Sequence, residues 1–497
     1  MLKQLFRRKG LDALLHESET PQHQLKRALG AFDVVMLGIG AIIGAGIFAT
    51  VGTAAAGDAA RLGAGPALML SFVLTAVACG FAALCYAEFA AMVPISGSAY
   101  TYSYLTLGEF IAWIIGWDLI IEYAVGNVAV AISWANYFKT FIGGFGLLVP
   151  DWLSTDYRTA ARIPGLFENA PHVFGIPIVF NILAFGIVAA ITIVLVIGIR
   201  ESARANTGMV LLKLLVLGFF VLVGWKYVKP ENWHPFAPNG WEGVQAGAAV
   251  VFFAYIGFDA VSTVAEEVRN PKRDLPIGII GSLIVCTVIY IIVAAVFTGI
   301  IPYPALVKTL ATQQAEPLIL ALRYAHIENW ESLIVGIVAF GSVVAHTAVL
   351  LVFQLGQPRI FFSMARDGLL PPTFAKVHPK YRTPHVTTIL TGVAVGVCAM
   401  FTSIDEMVDL TNIGTLFAFI LVCVGILILR VRDPHRPRGF RTPWVPVIPI
   451  LGILSCLYLV LGLPTITIMR FLIWLAIGMV IYFLYGFKKS LLRKDSL

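Results

Sequence analysis

Long apolar stretches separated by short polar loops run through almost the whole chain. Most of these stretches hold about 20 residues, the length that crosses a bilayer as an α-helix. Twelve of them can be drawn, at 32–55, 67–92, 110–140, 176–198, 206–228, 244–264, 275–300, 332–362, 385–403, 408–430, 445–464 and 469–487. The pattern predicts an all-α integral membrane protein with twelve transmembrane helices.

Composition favours one membrane domain over several soluble ones. Of the 497 residues, 59% are hydrophobic and 13% are charged, whereas soluble proteins carry about 25% charged residues. The six cysteines lie in apolar stretches without CxxC or metal-ligand spacing, so we expect them to be small core residues. No metal site, cofactor or cleavable signal is expected.

The distribution of basic residues predicts the orientation. An even number of helices places both termini on one side, and most of the 35 Lys and Arg residues fall on that side. The positive-inside rule then predicts that both tails, residues 1–31 and 488–497, are cytoplasmic in a multi-pass protein of the cell membrane. The net charge of +7 is explained by this topology and does not indicate nucleic-acid binding.

The first apolar stretch is unusually rich in glycine for a membrane-spanning helix. Val34–Gly52 carries no charge but contains five glycines, and each glycine weakens a helix. A glycine-interrupted span is typical of a transporter's binding site. The alternative is a small-residue packing face, because Gly40 and Gly44 also form a GxxxG pair.

A second interruption is predicted in the sixth helix, where Val250–Asp259 reads VVFFAYIGFD with Gly257 inside an aromatic run. The second interruption comes five helices after the first, so the chain crosses in the opposite direction there. This spacing predicts a five-plus-five inverted repeat with broken helices 1 and 6. The repeats would cover about 32–228 and 244–430 of a transporter core at 32–430, with helices 11 and 12 in 431–487.

Broken helices offer backbone groups to a ligand. The N–H groups at the start of a half-helix attract a carboxylate, and carbonyl groups at the opposing ends accept from an ammonium group. An α-amino acid carries both charged groups on adjacent positions. A site of this kind needs glycine for close approach and no charged side chain.

Several long motifs have recognisable sequences. They are GIGAIIGAGIF (Gly38–Phe48), YAEFAAMVPISGSAYTYSY (Tyr86–Tyr104), GWDLIIEY (Gly116–Tyr123), FFAYIGFDAVSTVAEEVRNPKRDLPIGI (Phe252–Ile279) and GQPRIFFSMARDGLLP (Gly356–Pro371). Together they resemble the amino acid–polyamine–organocation (APC) superfamily, and the last three are similar to its cationic amino acid transporter branch in particular. The resemblance implies an inverted-repeat fold with alternating access to an amino acid site.

The resemblance also implies which residues bind the substrate. The N–H groups of Gly44, Ala45 and Gly46 would bind the carboxylate. The carbonyl groups of Ile42, Phe253 and Ile256 would bind the α-ammonium group. The predicted substrate-binding residues are Ile42, Ile43, Gly44, Ala45, Gly46, Phe253, Ala254 and Ile256. Many relatives have a hydroxyl residue in place of Ala45, so one carboxylate hydrogen bond is in doubt. Phe253 matches an aromatic gate, although an ordinary core aromatic is the alternative.

Lys213 is a charge inside the fifth span, where a charge costs at least about 2.5–3.5 kcal/mol and needs a partner. In proton-coupled members of the superfamily a lysine on this helix replaces the sodium site, so the resemblance implies that Lys213 couples transport to protons. Its ammonium group would bridge helices 1 and 8. The alternative is a permanent structural charge, and sodium coupling is disfavoured because the ammonium group repels the ion.

Three acidic residues accompany the broken helices. Glu122 on helix 3 matches a glutamate that the cationic branch needs, either for recognising the substrate side chain or for ordering the helix. Asp118 lies one turn earlier, nearer the cytoplasmic end. Asp259 follows the interruption of helix 6 and is expected to cap the second half-helix.

Other charged residues have plainer expected roles. The carboxyl groups of Glu88, Glu266 and Glu267 are expected to pair with loop cations as part of an inner gate. The expected cations are Arg269, Lys272 or Arg359. His346 on helix 8 suits a proton relay by its chemistry, but a lone histidine is more often a hydrogen-bonded packing residue.

Together these patterns predict a secondary active transporter that imports L-amino acids with protons and is not an enzyme. The substrates would be cationic, such as arginine or lysine, or small and neutral, such as alanine. The alternatives are an amino acid exchanger or a facilitator without proton coupling. An intramembrane enzyme is disfavoured because the chain has no HExxH, GxSxG or Walker motif, and a channel because it shows no filter sequence. Whether an accessory subunit is a partner is left open.

Overall fold

The computed structural model describes residues 5–8, 28–93, 98–198, 203–311, 316–327 and 330–494. Apolar helices dominate this part of the chain because consecutive apolar residues satisfy their backbone hydrogen bonds internally. The helices are α1 (Ala31–Ala56), α2 (Gly65–Met92), α3 (Glu109–Gly143), α4 (Ile182–Ile197), α5 (Ala203–Gly224), α6 (Gly240–Ser262), α7 (Pro271–Ile300), α8 (Glu331–Arg366), α9 (His385–Phe401), α10 (Ile404–Arg432), α11 (Val447–Val460) and α12 (Thr465–Lys489).

These helices match the predicted apolar segments one by one, which confirms the all-α fold class. Within the described ranges, nine helices are long and apolar enough to cross a membrane. The other three are α4, α9 and α11, of which α11 is the shortest with 14 residues. The count of twelve transmembrane helices therefore stays a prediction.

Short elements connect the long helices. Two small antiparallel hairpins occur, β1 (Gly57–Asp58) with β2 (Arg61–Leu62) and β3 (His172–Val173) with β4 (Ile176–Pro177). Short helical segments occur at Ser98–Thr106, Asp151–Leu153, Tyr157–Ala160, Leu166–Asn169, Trp225–Tyr227, Pro230–Trp233, Tyr303–Leu310, Pro317–Tyr324, Pro372–Ala375 and Leu491–Lys494.

The two interrupted helices occupy the centre of the bundle. In their most apolar windows, 94% of the α6 residues and 83% of the α1 residues are buried, against 22% for α12. α7 packs along both α2 and α1, α8 packs along α3, and α4 packs along α9. The outer helices surround the central pair. Their apolar side chains face outward, as a bilayer requires.

The first and last described segments lie at the same end of the bundle. The Arg7 guanidinium donates to the Leu492 carbonyl oxygen at 3.4 Å, and the Glu109 amide at the start of α3 donates to the Arg7 carbonyl oxygen. We call this the terminal end and the other the opposite end. The contact agrees with the prediction that both termini lie on one side. Most of the predicted N-terminal tail, at 9–27, lies outside the described residues.

Candidate functional site at the helix breaks

The α-helical part of α1 stops in the middle of the bundle. It ends at Ile42, Ile43 has an extended backbone (φ −74°, ψ 102°), and the chain resumes as a π-helical turn over Gly46–Thr50. A helix end leaves its last carbonyls and the next segment's first N–H groups without helical partners. The predicted interruption is therefore present, and it frees backbone groups inside the membrane domain.

The sixth helix is interrupted at the same depth. A 3₁₀ turn over Phe252–Tyr255 is followed by an extended Ile256 (ψ 134°), and a second 3₁₀ segment runs over Asp259–Glu267. Gly257 between them has φ +118°, and a Cβ atom there would lie 2.7 Å from the Ala41 carbonyl oxygen. Only glycine fits this conformation and this contact.

The two interruptions touch each other directly. A Cβ atom on Gly46 would lie 2.2 Å from the Cα atom of Ala254, and one on Gly44 would lie 2.7 Å from the Val349 side chain of α8. Glycine therefore lets the backbones of α1 and α6 meet. We call this region the junction.

The junction brings the predicted substrate-binding residues together. All of them are buried, and they are Ile42, Ile43, Gly44, Ala45 and Gly46 on α1 with Phe253, Ala254 and Ile256 on α6. The arrangement provides uncharged side chains around freed backbone groups. The structure carries no ligand, so their role in binding stays a prediction.

Lys213 bonds to the end of the first half-helix. Its Nζ atom donates to the carbonyl oxygens of Gly40 at 2.7 Å and Ile43 at 3.0 Å, and the side chain is fully buried. Charge-assisted bonds of this kind are stronger than neutral ones. Both described bonds join α5 to α1. The predicted bridge to the eighth helix is not among the hydrogen bonds of the described residues.

Tyr290 on α7 is a junction residue that the sequence reasoning missed. Its hydroxyl oxygen lies 3.1 Å from the Ile42 carbonyl oxygen and 2.9 Å from the Ala254 carbonyl oxygen. One hydroxyl hydrogen is thus shared between the two broken helices. The Ile42 carbonyl, expected to bind the substrate ammonium, already accepts one bond and keeps its second lone pair. A tyrosine in an apolar helix was the available signal, because a buried hydroxyl needs a partner.

Phe253 lies at the junction with 5% of its surface exposed. Its neighbour Phe252 instead packs against Phe419 of α10, with ring centroids 5.6 Å apart. The side chains of Phe252 and Phe253 therefore lie in different surroundings, although both belong to the same 3₁₀ turn. The position of Phe253 suits the predicted gate, and its movement stays a prediction.

The predicted acidic residues form a cluster beside the junction. A π-helical turn over Ile121–Val125 interrupts α3 and carries Glu122, with Asp118 one turn earlier. The Glu122 and Asp259 carboxyl groups lie close enough for their charges to interact. All three carboxyl groups are buried, with at most 2% of each residue exposed. Turns of π-helix occur frequently at functional sites.

Two oxygen atoms in this cluster lack partners. Among the described residues, Asp118 Oδ1 and Glu122 Oε2 have no hydrogen-bond partner. The Asp259 carboxyl group faces the amides of the break. The expected capping role of Asp259 stays a prediction.

His346 has both ring nitrogens engaged. Nδ1 lies 2.6 Å from the Ser342 carbonyl oxygen, and Nε2 lies 2.7 Å from the Ser133 hydroxyl oxygen. A carbonyl only accepts, so Nδ1 carries the proton and Nε2 accepts from Ser133. The fully buried ring joins α8 to α3, which agrees with the packing interpretation.

The inner-gate prediction was wrong about the partners of Glu88. Its carboxylate pairs with Arg430 at 2.9 Å and with Arg438 at 2.9 Å. Arg430 lies in the last turn of α10 and Arg438 follows this helix, whereas loop cations such as Arg269, Lys272 or Arg359 were expected. Distance along the chain concealed this pairing, because α2 and α10 meet only in the folded bundle.

Backbone contacts tie the end of the α6 region to the start of α1. The Glu267 carbonyl oxygen accepts from the amides of Ala28 and Leu29, and the Leu29 carbonyl oxygen accepts from the Arg269 amide. The Glu266 side chain lies outside the described part. The terminal end of the bundle is thus closed between these two segments by main-chain bonds.

Buried ion pairs join the hairpin after α1 to α10 at the opposite end. The Arg61 guanidinium contacts the Asp409 carboxylate at 2.6 Å and the Asp58 carboxylate at 2.8 Å. Burial alone would lower the pKa of Arg61, but the charges of Asp409 and Asp58 outweigh it and raise the pKa above its ordinary value. We call this group the Arg61 cluster. It connects an extension of the broken helix to the scaffold.

No group of His, Cys, Asp and Glu residues with a metal-binding arrangement occurs in the described ranges. The chemistry available at the junction is therefore that of backbone N–H and carbonyl groups, one lysine, hydroxyl groups and carboxyl groups. Such a set binds small polar ligands and protons.

Comparison with known proteins agrees with this geometry. A family model described as amino acid permease matches residues 29–485. The branched-chain amino acid permease BcaP of Bacillus subtilis (strain 168) is 49% identical over 99% of both chains. The methylthioribose transporter of the same strain is 44% identical over 99% of this chain and 100% of its own length. The vacuolar cationic amino acid transporter 4 of Arabidopsis thaliana is 37% identical over 87% of this chain and 68% of its own.

Proposed function

The chain belongs to the amino acid permease family of the APC superfamily, and we propose that it imports L-amino acids by alternating access. The observation that carries the proposal is the junction, where Gly46 and Gly257 let two broken helices meet. The freed backbone groups suit an α-carboxylate and an α-ammonium group. This protein is therefore a transporter rather than an enzyme.

Helix packing supports a five-plus-five inverted repeat. An internal two-fold relation would pair α2 with α7, α3 with α8 and α4 with α9, and each of these pairs is in contact. It also relates the contact of α1 with α7 to the contact of α6 with α2, and both occur. In such a fold, one group of helices moves against the other around a fixed central site.

Import by proton symport is the coupling we favour. Lys213 bonds the broken end of α1 to α5, and loss of its charge would weaken both bonds. A change of protonation could thus loosen α1 when the substrate site opens. The exchanger or facilitator remains the alternative, with Lys213 as a permanent structural charge.

Neutral aliphatic side chains are the substrates that we favour. The junction is lined by uncharged residues, and one relative with 49% identity is named a branched-chain amino acid permease. The second candidate is a cationic amino acid such as arginine. The observation that favours it is the Glu122 and Asp259 pair beside the junction, since unpaired carboxyl groups attract a guanidinium group.

We place the protein in the cell membrane with both tails in the cytoplasm. The terminal end would then be the cytoplasmic end. The Arg61 cluster would face outside and, being paired and buried, would close the outer path. The basic bias of the loops supports this orientation.

Radiolabelled uptake into proteoliposomes tests the proposal. Wild type and Lys213→Ala would be compared with L-leucine, L-alanine and L-arginine, with and without an inward proton gradient, and with sodium. We expect the proton gradient to accelerate wild-type uptake of a neutral amino acid. Lys213→Ala should keep only exchange that does not depend on the gradient.

Other results separate the alternatives. If the gradient changes nothing for either protein while counterflow persists, the protein is an exchanger or a facilitator. If only arginine is taken up, the substrate is cationic. Absence of saturable uptake and counterflow for all three amino acids would overturn the proposal.

A further inference from the structure

The loop between α10 and α11, residues 433–446, is folded onto the end of α2. The Glu88 carboxylate of α2 accepts from the Arg430 guanidinium at 2.9 Å and from the Thr442 amide at 2.8 Å. The same carboxylate pairs with Arg438 at 2.9 Å. One negative charge thus holds two arginines, so this end of α2 carries an excess of positive charge.

Arg438 also fixes the shape of the loop. Its guanidinium donates to the carbonyl oxygens of Asp433 at 2.7 Å, Arg436 at 3.0 Å and Pro434 at 3.2 Å. The Arg436 guanidinium in turn pairs with the Asp433 carboxylate at 3.1 Å. The loop is therefore folded before any ligand arrives, and binding to a preorganised loop costs less ordering entropy.

The loop packs against the start of α7. A Cβ atom on Gly439 would lie 2.5 Å from the Lys272 Cβ atom, so the loop backbone touches the stem of this lysine. The contact brings exposed cations from two distant segments to one surface. They are Arg269, Lys272, Arg273, Arg432 and Arg441. We call these five residues the basic patch.

The acidic residues around the basic patch do not neutralise it. Residues 266–274 and 430–446 together with Glu88 hold eight Lys and Arg residues against five Asp and Glu residues. Glu88 and Asp433 are already paired with arginines outside the patch. In the part of the chain that the structure describes, no ion pair engages any of the five patch side chains. The patch therefore has charge available for an anionic ligand.

Exposed apolar residues indicate that the patch lies at the surface of the bilayer. Trp444 is 79% exposed, three residues after Arg441 and three before the start of α11. Val431, next to Arg432 at the end of α10, is also exposed. Tryptophan is enriched where membrane proteins meet the lipid headgroups. The cations of the loop thus lie at headgroup depth.

We propose that the basic patch binds the headgroup of an anionic phospholipid such as phosphatidylglycerol. Guanidinium and ammonium groups donate to phosphate oxygens, and a guanidinium group does so through two parallel bonds. Clusters of about four to eight Lys and Arg residues beside a membrane helix are typical of such sites. In the orientation proposed above, the lipid belongs to the cytoplasmic leaflet.

The bound lipid would connect helices that are distant along the chain. Lys272 lies in the first turn of α7, Arg432 ends α10, and the loop is anchored to α2 through Glu88. One headgroup held by both segments therefore stabilises the packing of α2, α7 and α10 at the terminal end. The site does not depend on which substrate is transported.

Thermal melting of the purified protein in detergent tests the proposal. Phosphatidylglycerol is added in increasing amounts, and phosphatidylcholine and inorganic phosphate are added in parallel. We expect phosphatidylglycerol to raise the melting temperature in a saturable way, because a ligand that binds the folded state stabilises it. Phosphatidylcholine has no net charge and inorganic phosphate has no acyl chains, so both should change the melting temperature little.

A double variant, Arg432→Gln with Arg441→Gln, removes both loop cations of the patch. We expect the phosphatidylglycerol concentration at half of the maximal shift to rise about tenfold or more, since each basic residue near an anionic surface contributes about fivefold in affinity. Lys376→Gln with Lys380→Gln is the matched control. It removes two exposed cations from the loop between α8 and α9 and should titrate like wild type.

Native mass spectrometry gives a second measure that does not depend on stability. The wild type and the control should retain one phosphatidylglycerol more than the patch variant. Equal retention and equal half-maximal concentrations in all three proteins would overturn the proposal. An equal rise in melting temperature with phosphatidylcholine would also overturn it, because headgroup charge would then play no part. An equal rise with inorganic phosphate would show an anion site that does not recognise lipid.

Discussion

Two neighbouring polar regions of the bundle differ in how fully their polar groups are hydrogen-bonded. At the junction, the freed carbonyl groups accept hydrogen bonds from side chains. Lys213 donates to Gly40 and Ile43, and the Tyr290 hydroxyl is shared by Ile42 and Ala254. In the neighbouring cluster of Glu122, Asp118 and Asp259, the atoms Asp118 Oδ1 and Glu122 Oε2 have no hydrogen-bond partner in the described part. The contrast indicates that hydrogen bonds hold the junction together in this conformation, whereas the acidic cluster is less fully bonded.

The largest effect is expected where a buried charge is already paired. Arg61→Met removes the guanidinium that offsets Asp409 and Asp58, and breaking a buried pair costs about 3–5 kcal/mol. We expect a large drop in the melting temperature in detergent. Lys139→Met is the matched control, because the Asp151 side chain that Lys139 pairs with is 71% exposed. Equal melting temperatures for the two variants would contradict the interpretation that Arg61 offsets the buried charges of Asp409 and Asp58.

Closing the junction with a larger side chain should have the next largest effect. Gly46→Val places atoms where the Ala254 backbone lies, and overpacking of this kind costs about 1–3 kcal/mol. We expect L-leucine counterflow to fall by about tenfold or more, since 1.4 kcal/mol corresponds to a factor of ten. Gly218→Val is the control, because a Cβ atom at Gly218 meets nothing within 4 Å. Normal transport by the Gly46 variant would show that the breaks do not approach as described.

Removing one shared hydroxyl should have a moderate effect. Tyr290→Phe leaves two buried carbonyl groups without this donor, and an unsatisfied buried group costs about 1–3 kcal/mol. The melting temperature should fall, and the apparent affinity for L-leucine should change because Ile42 belongs to the predicted ammonium site. Tyr324→Phe, at a residue 42% exposed, should change neither. A fall in melting temperature alone would limit Tyr290 to a structural role.

The smallest effect is expected in the acidic cluster beside the junction. Asp118→Asn removes a buried carboxyl group whose Oδ1 atom has no partner in the described part. Replacing a buried charge by an uncharged group of similar volume is often neutral or stabilising. The melting temperature should therefore equal or exceed that of wild type. A clear loss of stability would reveal a partner for this carboxyl group and weaken the contrast between the two regions.

Much of the architecture could be predicted because the bilayer imposes it. Apolar segments of bilayer length become helices, and Gly257 marks the α6 break because its φ of +118° and its contact with Ala41 exclude other residues. The full count of spans was harder, since α4, α9 and α11 are shorter than the apolar segments that contain them. Around α4, α9 and α11, the adjoining loops are as apolar as the helix ends.

Long-range partners could not be predicted from one sequence. Tyr290, Arg61 and the cations of Glu88 find their partners across the bundle, far away along the chain. Lys213 was recognised as needing a partner from the cost of a buried charge, but the sequence did not show that Gly40 and Ile43 supply it. Residue type thus indicates that a buried polar or charged group needs a partner. Only the fold shows which residue provides that partner.

The most direct test of the account is competition at the junction by ligands that lack one of the two α-groups. Uptake of radiolabelled L-leucine would be measured with unlabelled L-leucine, leucinamide and 4-methylpentanoate as competitors. If freed backbone groups bind both the α-carboxylate and the α-ammonium group, only L-leucine competes well. Equal competition by all three compounds would show that the side chain alone is recognised and would contradict a backbone-built site.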